Sequence, residues 1–261
     1  SGTANGAAYK TRILVRRPPV IDKLAASPLK GLLVALEPGH GGPGNLGARG
    51  PTGVPEKDIN RWTVEALKAE LEAAGARTVV VREGDESIGL GDRTRRAMDA
   101  NADIFISMHA NAAGTDRGYL RVSGTSSYYK HRASRDLSAA IQRHLLAETG
   151  LADFGNVGSF NYTPLVMNTW MPSMLVEQAF MSHPGDEAKM LDPEFRAKTA
   201  RATRLGIEEF LREQLWLPLG MERTGAVLAD LRGARVADGS TFHGPRPVRD
   251  PSSFDAGGAS W

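Results

Sequence analysis

GLLVALEPGHGG, residues 31–42, runs from an apolar segment (LLVAL, 32–36) through His40 into a glycine-rich loop, and the rest of the chain is ordered about it. A continuous apolar run bounded by turn residues is the pattern of a central parallel strand covered on both faces. Gly39, Gly41, Gly42, Gly44, Gly47, Gly50 and Gly53 then let the backbone turn tightly and come close to a ligand. Two further runs share this character: IFISMHANA (104–112) carries His109 near its end, and SMLVEQAF (173–180) carries Glu177 inside it. In an open α/β sheet, ligands bind in the crevice beyond the carboxyl ends of the strands, so His40 and His109 are expected to converge there.

Outward from this stretch, Ile59, Trp62, Ala66, Leu67 and Leu71 recur at helical spacing between Pro55 and Gly75, which predicts a helix opened by Glu56. ARTVVV (76–81) reads as a strand, residues 90–100 as a short helix and DIFISMH (103–109) as the next strand. This alternation belongs to right-handed parallel crossovers. GYLRVS (118–123) is expected as a further strand, followed by a loop rich in Ser and Tyr. Leu137, Ala140, Ile141, His144 and Leu145 place an apolar stripe on a helix ending near Gly150. PLVMNT (164–169) and SMLVEQAF read as two strands. Asp192 and Pro193 cap a last helix reaching about Glu213. Upstream, residues 1–8 read as a leader and TRILVRR (11–17) as a short strand that adds to a sheet edge.

The expected architecture is α/β: a single domain with a mostly parallel central β-sheet flanked by helices on both faces. Residues 1–30 form the leader and edge strand, 31–214 the domain carrying the chemistry, and 215–261 an irregular or disordered extension, since Gly, Pro, Arg, Ser and Asp dominate there.

Composition narrows the partners. The chain of 261 residues is 41% hydrophobic and 24% charged, ordinary values for a globular domain. No apolar run approaches the roughly 20 residues a membrane span needs. The net charge of +2 balances 32 basic against 30 acidic residues, scattered rather than striped, which argues against nucleic acid as a partner. The absence of cysteine excludes disulfides, thiolate metal ligands and a cysteine nucleophile. The opening residues, SGTANGAAYK, have neither an initiator Met nor an apolar signal core, so the sequence reads as processed or trimmed.

A catalytic zinc takes three protein ligands from His and Glu or Asp and keeps one position open. His40 and His109 are the best-placed histidines, each following an apolar strand and preceding small residues. Glu56 is the natural third ligand, opening the helix that the glycine loop feeds; an acidic residue in a first helical turn is also stabilised by the helix dipole, by about 0.3 to 1 kcal/mol. Glu177, inside a buried strand, is either a general base with a raised pKa or the structural partner of an arginine such as Arg93. His144 reads as a packed structural residue, His131 and His243 as loop and tail residues, and His183 as a loop residue near Glu177. The glycine loop lacks the Gly-Lys-Ser/Thr ending of a phosphate-binding loop, and no H-E-x-x-H helix is present.

LEPGHGG (36–42), GARGPTGVPEKDIN (47–60), ADIFISMHANA (102–112) and MPSMLVEQAFMSHPGDEAKML (171–191) together resemble the zinc-dependent N-acetylmuramoyl-L-alanine amidases of the amidase_3 type, in order over residues 31–212. The resemblance implies one Zn2+ per chain on His40, Glu56 and His109, with Glu177 as the catalytic glutamate. It implies cleavage of the amide joining N-acetylmuramic acid to L-alanine in peptidoglycan, by an exported protein of the periplasm or cell wall. Arg93 matches an arginine often seen after the second strand of the family. Met98, Gln178 and His183 depart from the family pattern. Some relatives insert an inhibitory helix that an activator protein displaces. Here residues 110–176 are accounted for by a strand, one amphipathic helix and two loops, so an open site is expected, in a monomer whose activator protein, if it uses one, is unidentified. The rival readings are a zinc peptidase or deacetylase of another wall amide, and a peptidoglycan-binding module without catalysis.

Overall fold

Side-chain alternation along three apolar strands sets one apolar core on each face of the sheet, beside a third, smaller cluster around Ile59, Ala110, Ala179 and Phe195. The computed structural model describes residues 29–113 and 120–216, together with a two-residue antiparallel pair, Thr3–Ala4 with Ala7–Ala8. Strands β1 (Leu33–Pro38), β2 (Arg77–Val80), β3 (Ile104–Asn111), β4 (Thr125–Tyr129), β5 (Asp153–Val157) and β6 (Ser173–Phe180) form one six-stranded sheet in the order β2-β1-β3-β6-β4-β5. The first four in that order run parallel; β4 lies antiparallel to β6 and carries β5 parallel to itself.

Val34, Leu36, Ile104, Ile106, Met108, Met174 and Val176 face one way, onto α1 (Glu56–Ala73), α3 (Arg135–Thr149) and α6 (Pro193–Leu211). Leu33, Ala35, Phe105 and Leu175 face the other way, onto α2 (Leu90–Asp99) and α4 (Thr163–Met167). Both faces of the central strands are therefore dry, which explains their unbroken apolar runs.

The connections fix where a site can form. From β1 the chain crosses by α1 on one face to β2, then by α2 on the opposite face to β3, on the other side of β1. That reversal opens a crevice beyond the carboxyl ends of β1 and β3, the place where doubly wound sheets bind ligands. His40 lies two residues past β1, and His109 lies two residues before the end of β3.

The mostly parallel sheet with helices on both faces is as expected from sequence. Three local readings are corrected. PLVMNT is not a strand: residues Thr163–Met167 form the short helix α4. Pro164 has no N–H to give a ladder but is well tolerated in a first helical turn. GYLRVS is not a strand in its described part, since Leu120 and Arg121 form a turn. The strand comes later, at β4, where hydroxyls replace apolar side chains: Thr125 Oγ1 donates to the Glu177 carbonyl at 3.0 Å and Ser127 Oγ to Gln142 Oε1 at 2.8 Å. Between β3 and β6 the described residues hold two strands, β4 and β5, and two α-helices, α3 and α4, rather than one strand and one helix. The edge strand β5 and the helix α5 (Pro184–Leu191) are additions to the sequence reading. The expected strand at 11–17 and the tail from 217 lie outside the described residues.

Helices α3 and α6 meet closely because Gly206 faces Ile141: a Cβ at 206 would lie 2.5 Å from the Ile141 Cα. Alanine gains up to about 1 kcal/mol over glycine in a helix interior, whereas overpacking against backbone costs roughly 1–3 kcal/mol. Gly206→Ala should therefore lose stability, by roughly 1–2 kcal/mol in urea unfolding. An unchanged or higher midpoint would mean that the two helices separate freely.

Candidate metal centre

Pro55 precedes α1 without a side-chain cap, and loop carbonyls take the first helical N–H groups instead: Glu56 N donates to Ala48 O at 2.9 Å and Lys57 N to Leu46 O at 3.1 Å. This stitching swings the first residue of α1 under the crevice. Glu56 is buried, and its Oε1 accepts from Asn60 Nδ2 and from the Ala110 N–H, both at 3.0 Å. Its Oε2 accepts from the Ala48 N–H at 3.0 Å. His109 Nδ1 lies 3.1 Å from Oε1 and His40 Nε2 lies 3.0 Å from Oε2.

Among the described residues, His40, Glu56 and His109 are the group able to hold a metal ion, with ligand atoms all within 4.8 Å of one another. Two imidazoles and one carboxylate match the donor set of a catalytic zinc, leaving a fourth position for water. Burial alone would raise the Glu56 carboxyl, but hydrogen bonds and charge from His109 and His40 hold it well below the usual carboxylate range. Burial would lower His40, yet Glu56 and then Asn45 raise it above the ordinary histidine value. The His40 side chain keeps a quarter of its surface exposed.

Glycine at two points of this loop makes room for the ligand side chains. A Cβ at Gly39 would lie 2.3 Å from the His109 ring, and one at Gly47, whose φ is +71°, would lie 2.5 Å from Glu56 Oε2. His40 itself adopts φ +63°, uncommon for a non-glycine residue, and the surroundings hold it there. Arg82 Nε donates to Pro38 O at 2.9 Å. Arg93, also fully buried, donates to Pro38 O at 3.1 Å and to the His40 carbonyl at 2.5 Å. Lys57 and the Gly42 N–H both reach the Asp85 carboxylate, which ties the loop tip to the segment after β2.

Glu177 stands directly across from His109 in the β3–β6 register. Its Oε2 is enclosed and has no hydrogen-bond partner, an uncommon state for a buried oxygen. Burial, helped by the charge of Glu56, pushes its carboxyl well above the ordinary range. The structural alternative for this residue fails, because Arg93 pairs not with Glu177 but with Glu37, at 2.7 Å. Glu37 is the buried acid that sequence reasoning missed, although it lies inside the LEPGHGG run.

The departures from the family pattern take defined places. Gln178 accepts from Thr63 Oγ1 at 2.6 Å and donates to Asn60 Oδ1 and to the His109 carbonyl, both at 3.2 Å, so it braces the residue that holds Glu56. His183 caps α5, its Nδ1 accepting from the Asp186 N–H at 3.2 Å. Met98 is half-buried on α2. His144 pairs with Glu209 at 2.8 Å on the α3–α6 surface, away from the crevice, and His131 bonds to the Val166 carbonyl. His243 lies outside the described residues.

Comparison with known proteins identifies the family. The Amidase_3 family model, described as N-acetylmuramoyl-L-alanine amidase, matches residues 34–209. The uncharacterized protein YqiI of Bacillus subtilis (strain 168) is 34% identical over 190 residues, covering 71% of this chain and 88% of its own length. The N-acetylmuramoyl-L-alanine amidase LytC of the same organism is 31% identical over 203 residues; 77% of this chain is covered but only 40% of LytC. Among solved structures, the N-acetylmuramoyl-L-alanine amidase AmiC2 of Nostoc punctiforme superposes with a TM-score of 0.63 at 30% identity, over 69% of this chain and 97% of that one. Matched along most of its described length in sequence and fold, the chain belongs to the Amidase_3 family, the N-acetylmuramoyl-L-alanine amidases.

Proposed function

We propose that the chain hydrolyses the amide between N-acetylmuramic acid and the L-alanine of the peptidoglycan stem peptide, with one zinc held by His40, Glu56 and His109 and with Glu177 as general base and acid. The observation that carries this reading is the meeting of three ligand atoms within 4.8 Å beside a buried carboxyl oxygen that has no partner. A zinc bound there would acidify a water and polarise the scissile carbonyl.

The chain's own residues supply the rest. Glu177, with its affinity for a proton increased by burial, accepts one from the attacking water and delivers it to the alanine nitrogen, so the stem peptide departs as a neutral amine. Glu56 keeps its charge and orients both imidazoles. The buried arginines Arg82 and Arg93 hold the turn that presents His40. Because the substrate is wall polymer, the working compartment is the periplasm or cell wall, where such cleavage serves wall turnover and cell division. No helix among the described residues is long and apolar enough to cross a membrane. The protein acts as a monomer without an activator in this reading, and strong stimulation of the purified chain by a partner protein would count against that part.

Metal analysis and release of stem peptide from purified peptidoglycan, run in parallel, test the assignment. Glu177→Gln should retain one zinc per chain and lose about 10²- to 10⁴-fold in kcat, the usual worth of a positioned acid–base group. A fully active variant would remove Glu177 from the mechanism. His40→Ala should lose both the metal and cleavage. Chelation of the wild type should abolish release of a stem peptide bearing a new alanine amine, and added zinc should restore it; activity that survives complete metal removal would refute the metal reading.

A further inference from the structure

Beneath His109, on the side of the sheet covered by α2 and α4, lies a buried polar layer. Glu37 and Ser107 are register partners on β1 and β3, and both are fully buried. Glu37 Oε1 is bonded to Arg93 Nη1 at 2.7 Å, and the same oxygen accepts the Tyr162 hydroxyl at 2.6 Å. Tyr162 is the residue just before α4, and its ring stands edge-on to His109 with centroids 5.4 Å apart. Its hydroxyl oxygen lies 3.4 Å from His109 Nε2.

Counting protons along this chain assigns each atom a role. A phenol carries one proton. That proton goes to Glu37, a carboxylate already bound to a guanidinium and able only to accept. The tyrosine oxygen therefore faces His109 as an acceptor, and Nε2 must carry the hydrogen that meets it. Both ring nitrogens therefore face acceptors, Nε2 the tyrosine oxygen and Nδ1 the Glu56 carboxylate; with the Nε2 hydrogen held by Tyr162, the proton that a metal would displace is the one on Nδ1. His40 has the matching arrangement: its Nδ1 lies 2.7 Å from Asn45 Oδ1, which leaves Nε2 facing Glu56. The ring of His109 has little room to turn, since the Gly39 backbone closes its other side.

We propose that Tyr162, anchored by Glu37, is a positioning residue that fixes the tautomer of His109 and so selects Nδ1 as the nitrogen offered to the metal. The proposal rests on the metal reading above. Partners of this kind, which bond the outer nitrogen of a ligating histidine, orient the ring, and removing them typically costs 10- to 100-fold in metal affinity or activity. A packing role is the competing account, because the Tyr162 ring also sits against the core cluster of Phe105, Leu165 and Leu175. Phenylalanine keeps the ring and removes only the hydroxyl, so it separates the two.

The whole chain and its Tyr162→Phe variant would be compared by zinc affinity in chelator competition and by thermal unfolding. Long-range 1H–15N spectra of the histidine rings would be recorded on the zinc-loaded wild type. The expected result is a thermal midpoint close to wild type, a 10- to 100-fold loss of zinc affinity in the variant, and a wild-type His109 that is metallated at Nδ1 with a hydrogen on Nε2. Metallation of His109 at Nε2 overturns the proposal whatever the variant does. Wild-type zinc affinity in Tyr162→Phe overturns it as well, and if kcat alone falls, the hydroxyl acts on substrate instead. A wild type that takes up no zinc removes the metal reading itself, a failure distinct from one confined to Tyr162.

Discussion

A carboxylate buried beyond the ends of the strands sets the terms for everything around it. Burying an ion without partners is costly enough that the group would sooner take up a proton. Glu56 stays charged because five groups converge on its two oxygens: two backbone N–H groups, the Asn60 amide and the two imidazoles. Those groups come from the glycine loop, α1 and the end of β3, so satisfying one side chain fixes three elements in register. The same requirement explains why the loop carries glycine where it does. Gly47 lets the backbone approach Oε2, and Gly39 lets the His109 ring lie flat against the turn.

The two faces of the sheet divide the work. On one, α1, α3 and α6 cover the larger apolar core, and contact is close enough that Gly206 has no space for a methyl group. On the other, beneath α2 and α4, the apolar layer of Ala35, Phe105 and Leu175 gives way toward the carboxyl ends of the strands to Glu37, Ser107, His109 and Glu177. The change occurs within each strand over one or two alternations. A rigid apolar base and a polar upper layer thus come from the same three strands, and the polar layer inherits the rigidity of the base.

What the sequence made legible follows from this division. The central strands were readable because burial on both faces leaves unbroken apolar runs, and the helices because their stripes are regular. His40, His109 and Glu177 stood out as polar residues ending or interrupting such runs, and Glu56 as the first residue of a predicted helix. Strand β4 was hidden because its buried side chains are Thr and Ser, whose hydroxyls are satisfied by Gln142 and by the Glu177 carbonyl. Helix α4 was hidden because one turn is too short to show a period, and its apolar residues point both inward, as Leu165 does, and outward, as Val166 and Met167 do. Glu37 was overlooked because its partners, Arg93 and Tyr162, lie 56 and 125 residues away in the chain. No local pattern announces a contact of that range.

The pairing of Arg93 with Glu37 also bears on why Glu177 is poised as it is. A buried carboxyl keeps a raised proton affinity only while no cation reaches it. Among the described residues three buried cations sit near the crevice, and each is engaged elsewhere: Arg93 with Glu37 and three carbonyls, Arg82 with carbonyls of the same turn and of Lys57, and Lys57 with Asp85. The turn bearing His40 absorbs most of these donors, since its carbonyl groups point away from the sheet ladder and need partners. Bracing that turn therefore does two things at once: it holds a histidine in a left-handed conformation and it keeps positive charge off Glu177. A cation bound in front of Glu56 would then be free to act on that carboxyl.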